Sequence, residues 1–272
     1  CTNKEEVDAD KNWKNRRYVK IKNVKVAETN TLPIEMANLY NAGCYSETDQ
    51  TITKMDVEKD AINIVVKKSY KTNGPCLAEV SDLRYINFTV DYAYSIVKLS
   101  SVTDTSYEPI VYPKADERKF GFFTTDFLEK TVDNHSHFVG SRKTIANRWS
   151  PNKKEVVYKL SEGFFEPELK HVLSSTKAAI NTINNSLSKA NANLRIKLEK
   201  GDDSKIGDLR ENFIILVTDP QASGVIGYGP SASNPNTGEI INARTVMYYG
   251  TIQKFVSRAY DELVDEVIAI ER

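Results

Sequence analysis

The sequence has no excess charge of either sign: 37 Lys and Arg are matched by 37 Asp and Glu. No overall field therefore favours nucleic acid or an anionic membrane surface, and no nucleic-acid partner is expected. Long hydrophobic runs are also missing. None approaches the roughly 18 apolar residues of a membrane-spanning helix, and no hydrophobic signal segment is present. Histidine is scarce, limited to His135, His137 and His171. Because a hydrolytic metal site takes about three protein ligands and keeps one position open, so few histidines leave little room for one. There is no HExxH, no G-x-S-x-G elbow, no phosphate loop, no dinucleotide fingerprint and no EF-hand loop. What is plentiful is core material: 40% of the residues are hydrophobic, enough for one large domain or two of ordinary size.

Cysteine is limited to three positions. Cys1 opens the polar stretch "CTNKEEVDADKNWKNRR", which resembles the start of a mature bacterial lipoprotein, cut before a lipid-bearing cysteine. Acylation of Cys1 would anchor a soluble body to a membrane through a flexible tether, in an extracytoplasmic location. Cys44 in "YNAGCYSE" and Cys76 in "TNGPCLAE" both sit beside turn residues. With Cys1 lipidated, these two remain to pair in an oxidising compartment, and a Cys44–Cys76 disulfide is expected. Neither has a CxxC or CxH neighbour, which argues against a metal site.

Along the chain, residues 1–16 are charged and lack periodicity, and read as a tether. Residues 17–125 read as a β-rich N-terminal domain. Their short runs "RYVKIKNVKVA", "TITKMDV", "AINIVVKK", "RYINFTVDYAYSIVKLS" and "PIVYP" are rich in Tyr and β-branched residues and are separated by turn formers. Residues 126–154 show weak periodicity and read as a connection. From residue 155 strands alternate with helices. "EVVYKL", "NLRIKLE", "NFIILVTD" and "EIINARTVMYY" are strands. Leu169, Val172, Leu173, Ala179, Ile180, Ile183 and Leu187 fall at helical spacing, with Pro167 near the helix start. Ile252, Phe255, Val256, Ala259, Leu263, Val267 and Ile268 mark a second amphipathic helix. The expected class is α+β, a sheet covered by a long helix following a β-rich half.

The residues alone point weakly to chemistry. The pair His135 and His137 in "DNHSHF" could hold a metal with Asp133, although such a pair in a polar loop is more often a solvated feature. His171 reads as a surface residue of the long helix.

The stretch "GYGPSASNPNTGEIINARTVMYYG", residues 227–250, is more specific. Together with "GFFTT", "NRW", "VVYKLSEGFFEPEL" and "GDLRENFIILVTDP" upstream, it resembles a bacterial family of metzincin-like zinc metalloproteases, secreted or lipid-anchored, in which a GPSxxxPxTGEI segment precedes the zinc-binding helix. Here that segment is Gly229, Pro230, Ser231, Pro235, Thr237, Gly238, Glu239 and Ile240. The resemblance covers residues 119–250 and is loose before them.

It implies a zincin-like sheet subdomain over residues 155–272, a peptide or protein substrate, and a zinc ion held by an HExxHxxGxxH segment. That segment does not occur in these 272 residues, so the chain is expected to be the N-terminal portion of such a peptidase, truncated before the zinc helix, inactive alone and without zinc of its own. The resemblance further implies that residues 240–248 form an edge strand that pairs with an extended substrate. Gly229, Pro230, Ser231, Thr237, Gly238 and Glu239 would shape its rim, and Ile240, Asn242 and Arg244 would lie on the strand. The alternative is a non-catalytic surface lipoprotein that uses the same scaffold to bind protein or envelope components.

Overall fold

A computed structural model describes residues 43–79, 86–112, 121, 123–132, 138–218 and 225–270. Cys1, the tether, the first expected strand at 17–27, and the pair His135 and His137 lie outside them. The class is mixed α+β. The chain divides into two compact units, Cys1–Ala93 and Tyr94–Arg272, so the division falls well before the expected boundary at 125.

In the first unit, β1 (Tyr45–Val57) and β2 (Ala61–Thr72) form an antiparallel hairpin, and β3 (Asn87–Val97), which runs past the division at Ala93, extends the sheet in the order β1-β2-β3. The period of two in β2 sets its buried face: Ile64, Val66, Lys68, Tyr70 and Thr72 all point inward. Lys68 is fully buried, and its ammonium is satisfied by Glu47 at 2.9 Å and by the Tyr92 ring at 5.8 Å. Such an ion must be paired, since an isolated buried charge is prohibitively costly. Burial, with the Tyr92 hydroxyl beside it, also pushes the Tyr70 phenol well above its ordinary pKa. Cys44 and Cys76 are joined by a disulfide with Cα atoms 5.4 Å apart. It lies beside an aromatic cluster in which Phe88 meets Tyr45 edge-on and stacks on Tyr70.

The second unit is organised by a six-stranded sheet among the described residues. Strand β6 (Glu155–Leu160) leads through two short 3-10 turns into helix α1 (Lys170–Lys189) and on to β7 (Arg195–Lys200), which pairs with β6 in parallel. Strands β8 (Asn212–Val217) and β11 (Ile240–Tyr248) add in parallel on the other side of β6. This gives the run β7-β6-β8-β11. Two short antiparallel strands, β9 (Gly227–Tyr228) and β10 (Ser231–Ser233), complete it beside β11.

The core of this unit is Leu160, Phe164, Leu169, Val172, Ile214 and Leu216, where α1 covers the sheet. Each such side chain contributes about 1.5–3 kcal/mol on burial. Leu173 and Ile180 pack against this core as their spacing predicts. Ala179 and Ile183 do not, because the helix face turns away from the sheet there and leaves Ile183 43% exposed.

Two expectations are corrected. Part of the stretch read as a connection, residues 126–154, belongs to a hairpin, β4 (Thr124–Val132) with β5 (Phe138–Ala146). A two-stranded ladder does not require a continuous apolar face, so its strands carry no period-two pattern to read. Among the described residues "PIVYP" makes a single bridge, Val111 to Ile145; Pro109 supplies no N–H with which to extend a ladder. The second helix, α2 (Tyr249–Ile270), follows β11 directly. Its Phe255, Val256 and Leu263 are 51%, 64% and 61% exposed.

Candidate functional site

The segment 225–248 folds back on itself to build one margin of the sheet. Arg244 N–H donates to the Pro230 carbonyl and Tyr248 N–H to the Ile226 carbonyl, each at 3.0 Å. Ser231 pairs with Ala243 and Tyr228 with Val246. Strand β11 is thus an interior strand, with β8 on one side and β9 and β10 on the other. The expectation that residues 240–248 form the edge is therefore overturned. Ile240 pairs with Ser233 and donates to the Arg148 carbonyl, Arg244 pairs with Phe213 of β8 and donates to the Pro230 carbonyl, and Asn242 is buried, its side-chain amide donating to the Glu211 carbonyl at 2.7 Å. The edge is the preceding stretch, 226–233. The reason lies in the turn chemistry: the Gly and Pro run does not merely precede the strand but returns along it.

The backbone along this edge faces solvent. Residues 226–229 and Ser231 are exposed. Since Pro230 uses its carbonyl on β11, the alternation of an antiparallel ladder turns the N–H and C=O of Ser231 outward. Gly227 lies so close to β11 that a Cβ there would meet the Val246 carbonyl oxygen at 2.7 Å.

The opposite edge is treated differently. On β7, the Asn184 side chain from α1 accepts from Ile196 N–H and donates to Ile196 C=O, both at 2.8 Å. Lys197 and Glu199 put charges on the same strand, 2.8 Å apart. With Lys159 and Lys197 both beside it, the Glu199 carboxyl is held down at about 2. One edge is capped and charged against strand addition; the other is open.

The rim is a closed turn. Asn234 N–H donates to the Glu239 carbonyl at 2.8 Å, its own carbonyl accepts from Thr237 and Gly238, and its side chain accepts from Asn236 N–H. Thr237 Oγ1 accepts from Glu239 N–H. Gly238 has φ +74° and sits where a side chain would strike the Ala146 carbonyl, so a residue without Cβ is required. The turn is anchored through Arg148, whose N–H donates to Gly238 C=O and whose C=O accepts from Ile240 N–H.

Glu239 lines a cavity of about 560 Å3, which it shares with Asp104, Ser150, Asn152, Lys153 and Arg210. It is 4% exposed, and both its oxygens accept from Asp104 N–H, at 3.2 and 3.0 Å. Burial raises its carboxyl pKa. Asp104 is the reverse case. Ser106 N–H and Oγ supply one oxygen, and Ser150 Oγ and Asn152 Nδ2 the other, at 2.7–2.9 Å. Those bonds, Ser106 first, hold its carboxyl far below the usual range. Burial lowers the Lys153 ammonium. Asp104, Ser150, Asn152 and Lys153 carried no motif, and more than 80 residues separate each of them from Glu239.

Zinc is the metal that the resemblance implies. His171 Nε2 lies 2.6 Å from the Tyr249 hydroxyl rather than beside other ligands. Among the described residues no three His, Cys, Asp or Glu side chains converge to hold a metal. These residues do not fit a zinc ion. No family model, curated protein or solved structure matches the chain.

Proposed function

We propose that this chain is a peptide-recognition portion of a cell-envelope zinc metallopeptidase, and that an extended peptide adds to the sheet along residues 226–233. The observation that carries this reading is the asymmetry of the two edges. One is covered by Asn184 and charged side chains, while the other presents outward backbone groups beside exposed Ile226 and Tyr228. An unprotected edge is a template for strand addition, in which main-chain bonds supply affinity and alternate side chains supply specificity. The parallel run β7-β6-β8-β11 under α1, with short antiparallel strands at its rim, supports the zincin-like assignment. The GPSxxxPxTGEI segment forms that rim. Hydrolysis is not assigned to these residues, since the sequence contains no HExxH and the described residues gather no metal ligands. Acylation at Cys1 would hold the chain at a membrane surface.

The test is amide hydrogen exchange of the full chain with and without a pooled library of extended heptapeptides. Added peptide should slow exchange at residues 226–233 and not along β7. Ser231→Pro removes an outward N–H without touching the bonds to β11, and should weaken peptide binding at least tenfold with an unchanged urea midpoint. Protection that maps elsewhere, or full binding by Ser231→Pro, would refute the assignment.

A further inference from the structure

The cavity behind the rim carries a second, independent inference. Two ionisable groups meet it; their charges attract each other, but no described hydrogen bond or ion pair joins them. The Glu239 carboxylate offers about four acceptor positions and, among the described contacts, receives only the N–H of Asp104. Lys153 brings three donors. Its Nζ lies 4.6 Å from the centre of the Trp149 ring, and among the described contacts Glu239 acts on it through charge attraction alone. The remaining charges are already committed. Asp104 is saturated by four donors, and Arg210 holds Asp208 through its Nε and Nη2, the latter at 2.6 Å. Val102 and Ile241 supply apolar wall.

A ligand that suits this cavity must donate to Glu239 and accept from Lys153. A phosphate or other simple anion would face the Glu239 carboxylate, and a polyamine would face Lys153. A metal ion would find too few ligands. A neutral apolar molecule would leave both charges desolvated without partners. The volume, about 560 Å3, falls within the range of sites that enclose a small organic ligand.

From these constraints we infer that the cavity is a binding site for a small zwitterion of dipeptide size, its ammonium against Glu239 and its carboxylate against Lys153, with small apolar side chains on Val102 and Ile241. This site has no residue of the 226–233 edge in its lining and does not depend on strand addition there.

The experiment is calorimetric titration of the full chain with L-alanyl-L-alanine, its N-acetyl derivative and its C-terminal amide. The free dipeptide should bind at one equivalent, and blocking either end should weaken binding at least tenfold. Lys153→Met should abolish discrimination against the amide and keep discrimination against the acetyl derivative; Glu239→Gln should do the reverse. Absence of saturable binding at millimolar dipeptide would overturn the inference, as would equal affinity for the blocked forms or no effect of Lys153→Met. Should Glu239→Gln fail to fold, the blocked ligands on the unaltered chain and Lys153→Met decide the question without it.

Discussion

Replacing Gly238 by alanine should destabilise the second unit more than any other glycine substitution in the 227–238 segment except that of Gly227, whose Cβ would meet a backbone oxygen at 2.7 Å. Two costs combine at Gly238. Its φ of +74° is a conformation that costs a residue with a Cβ about 1–2 kcal/mol. The new Cβ would also stand 2.8 Å from the Ala146 carbonyl oxygen and 3.0 Å from Ile145 Cγ2. The first contact is with backbone held in the β5 ladder, which cannot swing aside as a side chain would. Overpacking of this kind costs about 1–3 kcal/mol, and the restriction of the unfolded chain by alanine returns about 0.4–1 kcal/mol. The net loss should be about 1–4.6 kcal/mol. Gly229→Ala is the internal control. It has no unusual φ and nothing nearer than 3.7 Å, so its change should stay within about 0.5 kcal/mol. Urea unfolding followed by Trp149 fluorescence, in a Trp13→Phe background, reads both. A loss below about 1 kcal/mol for Gly238→Ala, or an equal loss for Gly229→Ala, would refute the steric reasoning.

Reduction of the Cys44–Cys76 bond, which closes a loop with a sequence separation of 32, should cost the first unit about 3–4 kcal/mol by the chain-entropy model; thermal unfolding with and without a phosphine reductant measures it. Glu239 and Asp104 should have opposite effects on stability as pH changes. Because burial raises the Glu239 pKa in the folded protein, its contribution is fully present below the unfolded carboxylate value and is lost as pH rises through the folded one. Glu239→Gln should therefore gain on the unaltered chain between mildly acidic and neutral pH, seen as a rising difference in urea midpoint. Asp104, lowered by its hydrogen bonds, contributes above its unfolded value and loses that contribution as pH falls, so Asp104→Asn should flatten the acid limb of the same curve.

Much of the second unit could be read locally. The apolar runs of β6, β8 and β11 are short and bounded by turn formers, and the helical spacing of Leu169, Val172, Leu173 and Ile180 coincides with the core. These signals survive because each residue's own neighbours in sequence fix its periodicity. The hairpin β4–β5 left no such signal, and neither did the cavity, whose Asp104 and Glu239 come together across 135 positions.

The sequence by itself determined the main strands and helices from residue 155 onward, that Cys44 and Cys76 were the cysteines to pair, and that the 229–240 stretch is turn chemistry ahead of a strand. Only the tertiary structure decided which strand is the edge. Local pattern records how often a residue is buried but not which neighbour buries it. Strand order depends on hydrogen bonds between distant segments, and those bonds place β11 inside the sheet and turn alternate backbone groups of residues 226–233 outward.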